Sequence, residues 1–304
     1  MINILQYSDI DPQQWQALID RSPYATWFQT KEAYEFYASL PEEMTPFAVG
    51  VEEKECKVET LKFKGEENSE AETTASTPYT LHSTPALKGV IVGYITRERN
   101  ALKQFFTRRA IIIGGPLLDE HISDEALSAL LSAIAQCKVE GLKFKGMENS
   151  KADTPAFTPY TLHPTPIFIE SRNFHDYSKW KSVFETNGFA YQPHYDIHIH
   201  CNAAHQMSEQ RIRQVKKALK NGATICEAQS EQEIRNWYRI LSQLYCTKVR
   251  TPLFSEEFFM QFYREGVGKY LLVKHQGKVI GGMMCPILDG KAIYEWFVCG
   301  LDED

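Results

Sequence analysis

Apolar and polar residues alternate along some stretches of the chain and recur at every third or fourth position along others, and the two periods separate strands from helices. Period two predicts strands over 2–7, 46–53, 87–96, 109–114, 167–171 and 191–201. Helical spacing predicts helices over 11–20, 30–39, 123–136 and 176–187, followed by a basic helix over 208–221. The pattern then restarts with a strand over 223–228, helices over 231–247 and 255–265, and strands over 269–275, 278–288 and 291–299. Trp237, Ile240, Leu241, Leu244 and Tyr245 show the helical spacing in this second half. One strand, two helices and three consecutive strands thus occur twice. The expected class is α/β (α+β), with two like-built units over 1–205 and 206–304, the second ending after its fourth strand.

An internal repeat interrupts the first unit. The 30 residues from Cys56 to Pro85 reappear from Cys137 to Pro166 with 23 identities at an offset of 81. A solenoid would carry such a period through the chain, and here the flanks are unrelated. Removing both copies joins strand 46–53 to strand 87–96 as a hairpin, and helix 123–136 to strand 167–171. Both insertions therefore fall in connections, where added length costs little loop-closure entropy. Their Glu, Asn, Ser, Thr and Ala content favours loops or a small two-stranded flap.

Composition narrows the class. With 304 residues, 43% hydrophobic and 24% charged, the chain has material for about two domain cores and is not of the disordered or collagen-like type. A net charge of -6 argues against wholesale coating of nucleic acid, while leaving room for a local basic patch. Apolar runs near 90–95 and 110–113 are far shorter than the roughly 20 residues of a membrane-spanning helix. Seven cysteines without paired spacing point to reduced thiols, and with no signal peptide over 1–9 the expected location is the cytoplasm.

Candidate chemistry is sparse. Helix 208–221 carries Arg211, Arg213, Lys216, Lys217 and Lys220 against Glu209, and 213, 217 and 220 share a face. It reads either as a solvated basic face or as a phosphate site. Lys31 follows the aromatic pair Trp27-Phe28, with Thr30 placed to cap a helix. It is either a surface lysine or a ligand contact. Asp119, after Pro116, suits a turn. His194, Asp196, His198 and His200 alternate on one face of their strand; ligands from a single strand rarely close a tetrahedron, so a polar outward face is expected and no metal. Tyr294, Glu295 and Trp296 close the last strand, where Glu295 is a candidate proton acceptor for an attacking amine or a structural partner for a basic side chain.

Several segments, in this order, resemble the FemA/FemB/FemX family, paired acyltransferase folds of the GNAT type that add amino acids from aminoacyl-tRNA to the peptide of the peptidoglycan precursor. They are Ala25-Thr-Trp-Phe-Gln-Thr-Lys-Glu-Ala33, Gly115-Pro-Leu-Leu-Asp119, Arg213-Gln-Val-Lys-Lys-Ala-Leu-Lys-Asn-Gly222, and Gly277-Lys-Val-Ile-Gly-Gly-Met-Met284 with Tyr294-Glu-Trp296. The resemblance implies two GNAT-like domains and acyl or aminoacyl transfer to an amine of a cell-wall precursor or similar phosphate-bearing acceptor. It implies Asp119 and Glu295 as catalytic candidates. Lys31, Arg211, Arg213, Lys217 and Tyr294 are the implied substrate contacts. The donor would be aminoacyl-tRNA or acyl-CoA, with no tightly bound cofactor. Where many members have arginine this chain has Gly114, and the second unit stops at 299–304, where the next helix of the fold would begin. A catalytically inactive module that binds a phosphorylated ligand or a protein partner is the alternative. The edge strand 291–299 is an expected surface for self-association.

Overall fold

In the computed structural model, residues 1–54, 85–97, 108–135, 166–201 and 207–301 are described. Both copies of the internal repeat lie almost wholly outside them, as does the 202–206 stretch at the expected boundary between units.

The first sheet is built from hairpins. Strand β1 (Ile2–Gln6) pairs antiparallel with β2 (Met44–Glu53), and β2 with β3 (Ala86–Thr96) along nearly its full length, as the hairpin reading requires. Strand β4 (Arg109–Gly114) meets β3 at Tyr94↔Ile111, and the two-residue β5 (Leu117–Leu118) pairs with the other end of β3. The last strand, β6 (Phe168–Asn173), runs parallel to β4 through six consecutive pairs, from Arg109↔Phe168 to Gly114↔Asn173. A parallel neighbour needs a crossover, and helix α3 (Asp124–Ala135) is its described part.

Period two decides what covers each face. Ala48, Val90, Val92, Tyr94, Ile111 and Ile113 turn towards helices α1 (Pro12–Arg21) and α2 (Lys31–Ala38). Phe47, Val49, Val51, Ile91 and Ile95 turn the opposite way, towards α3 and α4 (Lys181–Thr186). The helices start where their caps sit. Asp11 accepts from the Gln13 amide at 2.9 Å with Pro12 in the first turn, Thr30 accepts from Ala33 at 3.2 Å, and Ser123 from Ala126 at 3.1 Å.

The second sheet is separate. Strands β7 (Ala223–Glu227), β8 (Gly268–His275), β9 (Lys278–Leu288) and β10 (Ala292–Ile293) lie in the order β10-β9-β8-β7, all antiparallel, and β11 (Phe297–Gly300) also pairs with β9. Gln276 and Gly277 have φ of 49° and 75°, which matches the twist of a two-residue hairpin turn. Helix α5 (Glu209–Lys220) precedes this sheet, and α6 (Glu231–Leu244) and α7 (Glu256–Glu265) lie between β7 and β8. The strand expected over 291–299 is therefore two short strands, interrupted at Tyr294-Glu295-Trp296.

A larger departure concerns residues 191–201, where period two predicts a strand. They form neither strand nor helix, and from Ala190 to Cys201 every residue is exposed. Alternation marks faces but supplies no partner: a strand exists only as part of a ladder, and none of the described residues provides one here.

The two halves share one core. Trp27 and Phe28 at the start of α2 pack against Trp296, at 6.2 and 4.8 Å between ring centroids, and Phe36 meets Phe258 at 5.4 Å. The aromatic pair that flanks Lys31 is thus core, 4% and 1% exposed. Two polar ties reinforce the seam. Glu43 receives Ser255, and Lys291 Nζ donates to the Asp20 and Ser22 carbonyls at the end of α1, at 2.8 and 2.9 Å.

Candidate functional site

Between the C-terminal end of α1 and the segment that follows β4 lies a cleft of about 230 Å³. Its walls include Tyr24, Pro116, Leu117, Leu118, His175 and Trp180, and its polar side carries Arg21 and Asp119. The backbone that shapes it turns at Gly114 and Gly115, with φ of 84° and 77°. A Cβ on Gly115 would stand 2.5 Å from Asn173 Oδ1 and 2.8 Å from the Tyr177 hydroxyl. The buried Gln29 side chain donates to both glycine carbonyls, at 3.1 and 3.0 Å, and Tyr177 donates to the Pro116 carbonyl at 2.5 Å. The glycines are there because only a residue without Cβ fits that path.

Asp119 is the charged centre of the cleft. Its Oδ1 accepts from the His121 amide at 3.0 Å, the turn expected after Pro116, and its own amide donates to the Lys88 carbonyl at 2.8 Å. Arg21 reaches Oδ2 at 2.8 Å and Lys88 Nζ reaches Oδ1 at 3.5 Å. Burial pushes the Asp119 pKa up, but the His121 N–H, Lys88 and Arg21 outweigh it and hold the carboxyl below its usual range. Asp119 is therefore a fixed anion.

Arg21 and Lys88 carry no sequence signal. Arg21 ends an ordinary amphipathic helix. Lys88 is a lone charged residue among apolar strand residues, and it is 6% exposed. The aromatic wall was equally hidden. Tyr24 stacks on His175 at 4.0 Å and 7°, and His175 lies 4.1 Å from Tyr177. Burial, assisted by His198, pulls the His175 pKa down to about 4, so its imidazole is neutral at pH 7.

The other expected site residues are spread out. Lys31 opens α2 and is half-exposed, 3.3 Å from Glu35, and it does not line the cleft. Arg213 and Lys217 line an open recess with Gln210 and Gln214, and Arg211 sits on the same exposed helix. Tyr294 belongs to the seam between the halves, stacked on Phe174 at 4.6 Å and edge-on to Phe28 at 5.3 Å. Burial, with Asp196 and Glu295, raises its pKa against the pull of Arg172. Glu295 itself is exposed. Within 194–200, His194 Nε2 lies 3.2 Å from Asp196 Oδ2. Among the described residues, no three His, Cys, Asp or Glu side chains gather into a metal site.

The N-terminus of α3 presents the free amides that meet anions at helix starts. Its cap is filled by Ser123, whose amide donates to Glu53 at 3.4 Å, and Asp124 and Glu125 occupy the first turn. Three carboxylates complement the helix dipole there and repel a second anion.

No protein-family model matches the chain, and no curated protein matches it. Solved structures do. Among them, the crystal structure of FemX superposes over 99% of this chain and 81% of its own, with a TM-score of 0.53 and 10% identity. At that identity the likeness is one of fold.

Proposed function

We propose that the protein transfers an aminoacyl group from an activated ester to the amine of a cell-wall-precursor-like, phosphate-bearing acceptor. The observation that carries this reading is the fold shared with FemX along nearly the whole chain, joined to a cleft that opens beside a fixed Asp119. The units are read as two GNAT-like domains fused through the Trp27–Phe28–Trp296 core. Aminoacyl-tRNA is favoured over acyl-CoA as donor, because the three carboxylates at the start of α3 oppose a pyrophosphate there.

In the proposed reaction the acceptor amine attacks the ester carbonyl. A C–N bond forms, the ester C–O bond breaks, and the amine proton passes to the departing ribose oxygen. No protein nucleophile is needed, and positioning supplies the rate. Asp119, already ionised and paired, serves better to hold an ammonium or orient a donor than to accept a proton. Glu295 is the freer candidate for the base. Arg211, Arg213 and Lys217 would meet acceptor or tRNA phosphates, with Lys31 as a further contact.

A transfer assay tests this: radiolabelled aminoacyl-tRNA or acyl-CoA, a peptidoglycan-precursor nucleotide as acceptor, and purified protein. Label on the acceptor from aminoacyl-tRNA alone supports the reading. Binding of the precursor nucleotide without transfer from either donor would support the inactive binding module instead, a reading favoured by the full pairing of Asp119 with Arg21 and Lys88.

A further inference from the structure

Helix α5 is amphipathic in an unusual way. Ile212, Val215 and Leu219 fall at i, i+3 and i+7 and so form one stripe. Lys216 borders it on one side and Arg211 on the other, while Arg213, Lys217 and Lys220 share a face further round, with Gln210 and Gln214 at the opposite pole. A helix packed on its own protein would bury that stripe. This one buries no residue fully: Ile212 is half-buried, Val215 is 38% exposed and Leu219 52%. The chain that leads into it repeats the anomaly, with Tyr195, Ile197 and Ile199 at 102, 88 and 62% exposure.

Charge says what fits there. Five cations face one carboxylate, Glu209, on a protein whose net charge is -6. The complementary partner is therefore anionic and has an apolar layer beneath its charges. A phospholipid surface has both. An RNA backbone meets the cations equally well and leaves the aliphatic stripe in water, so the stripe favours lipid.

We propose that α5 is a membrane-surface helix that docks the protein on an anionic phospholipid bilayer. Ile212, Val215 and Leu219 enter the boundary between headgroups and acyl chains, and the bordering Lys216 and Arg211 rise to the lipid phosphates, Arg211 being the one cation this surface shares with the proposed acceptor contacts. The helix, about 18 Å long at 1.5 Å per residue, lies in the plane of the interface. Attachment through such a helix is peripheral and reversible; among the described residues no helix is long and apolar enough to cross a membrane. Arg213 and Lys217 stay on the face further round, and docking does not depend on whether the protein transfers anything.

Vesicle flotation tests it with phosphatidylglycerol/phosphatidylcholine vesicles, pure phosphatidylcholine vesicles, and uncharged tRNA as a separate arm. The expected result is binding to the anionic vesicles only, weakened by high salt as screening requires. The double variant V215S/L219S, which removes the apolar stripe without adding charge, should lose it by about tenfold while keeping its circular dichroism and any tRNA binding; both sites are exposed, so the fold tolerates the change. R213Q/K217Q should keep most of the vesicle binding. No flotation with anionic vesicles, flotation unchanged in V215S/L219S, or binding of tRNA alone would each overturn the proposal.

Discussion

Glu43, the residue before β2, caps a helix more than two hundred residues away: one carboxylate oxygen accepts the Ser255 amide at 3.1 Å and the other accepts its hydroxyl. Ser255 precedes α7, so the carboxylate also sits at the positive end of that helix. A single side chain of the first half thus completes a helix of the second.

Glu43→Ala should consequently destabilise the whole protein by about 1–2 kcal/mol, in the range of a lost cap. Denaturant unfolding of E43A, S255A and the double variant measures it. The coupling should be clearly favourable, and a purely additive cycle would show that the contact ties nothing together.

Gly115 and Gly188 both have positive φ, 77° and 85°, but only Gly115 is enclosed. Gly188→Ala meets nothing within 4 Å and should cost about 1 kcal/mol from backbone strain alone. Gly115→Ala adds a collision with Asn173 and Tyr177 and should cost visibly more, with the cleft distorted. Equal melting temperatures for the two variants would show that the path after β4 is looser than its hydrogen bonds imply.

The sequence carried the order of elements well, because order depends on period and punctuation. The β2–β3 hairpin was readable across a 30-residue insertion since each strand keeps its own alternation. The Thr30 cap was readable because capping is local. The strand expected over 191–201 failed because pairing is not local, and Lys88 was not singled out because its tie to Asp119 is made only in the folded chain. The cleft was only half legible for the same reason: Asp119 sits in a recognisable segment, while Arg21, Tyr24 and His175 join it only through tertiary packing.

Asp119→Asn should cost about 1–3 kcal/mol, since Arg21 and the enclosed Lys88 both lose a charged acceptor. Replacing Lys88 as well, in K88M/D119N, should recover part of the loss, because the buried charge is gone too. If the transfer reading holds, D119N should also lower kcat/KM, while K88M/D119N regains stability without regaining rate. Thermal unfolding and the transfer assay together separate the two effects.

His175 sets a pH dependence whose sign follows from its environment. Its folded pKa of about 4 lies below the ordinary value of 6.5, so the unfolded chain binds the proton more readily. Stability from this group is fully present above about pH 6.5 and is lost as pH falls from 6.5 towards 4. Tyr24 stacks on the ring and Tyr177 lies tilted against it, His198 opposes its protonation and Asp176 favours it, so the loss belongs to the whole cluster. Partial exposure reduces its size to the order of 1 kcal/mol. His175→Phe keeps the stacking and removes the proton site, and its melting temperature should fall less than that of the parent between pH 6.5 and 4.5. Parallel curves for the two proteins would mean that His175 is solvated and that the Tyr24 wall does not close over it.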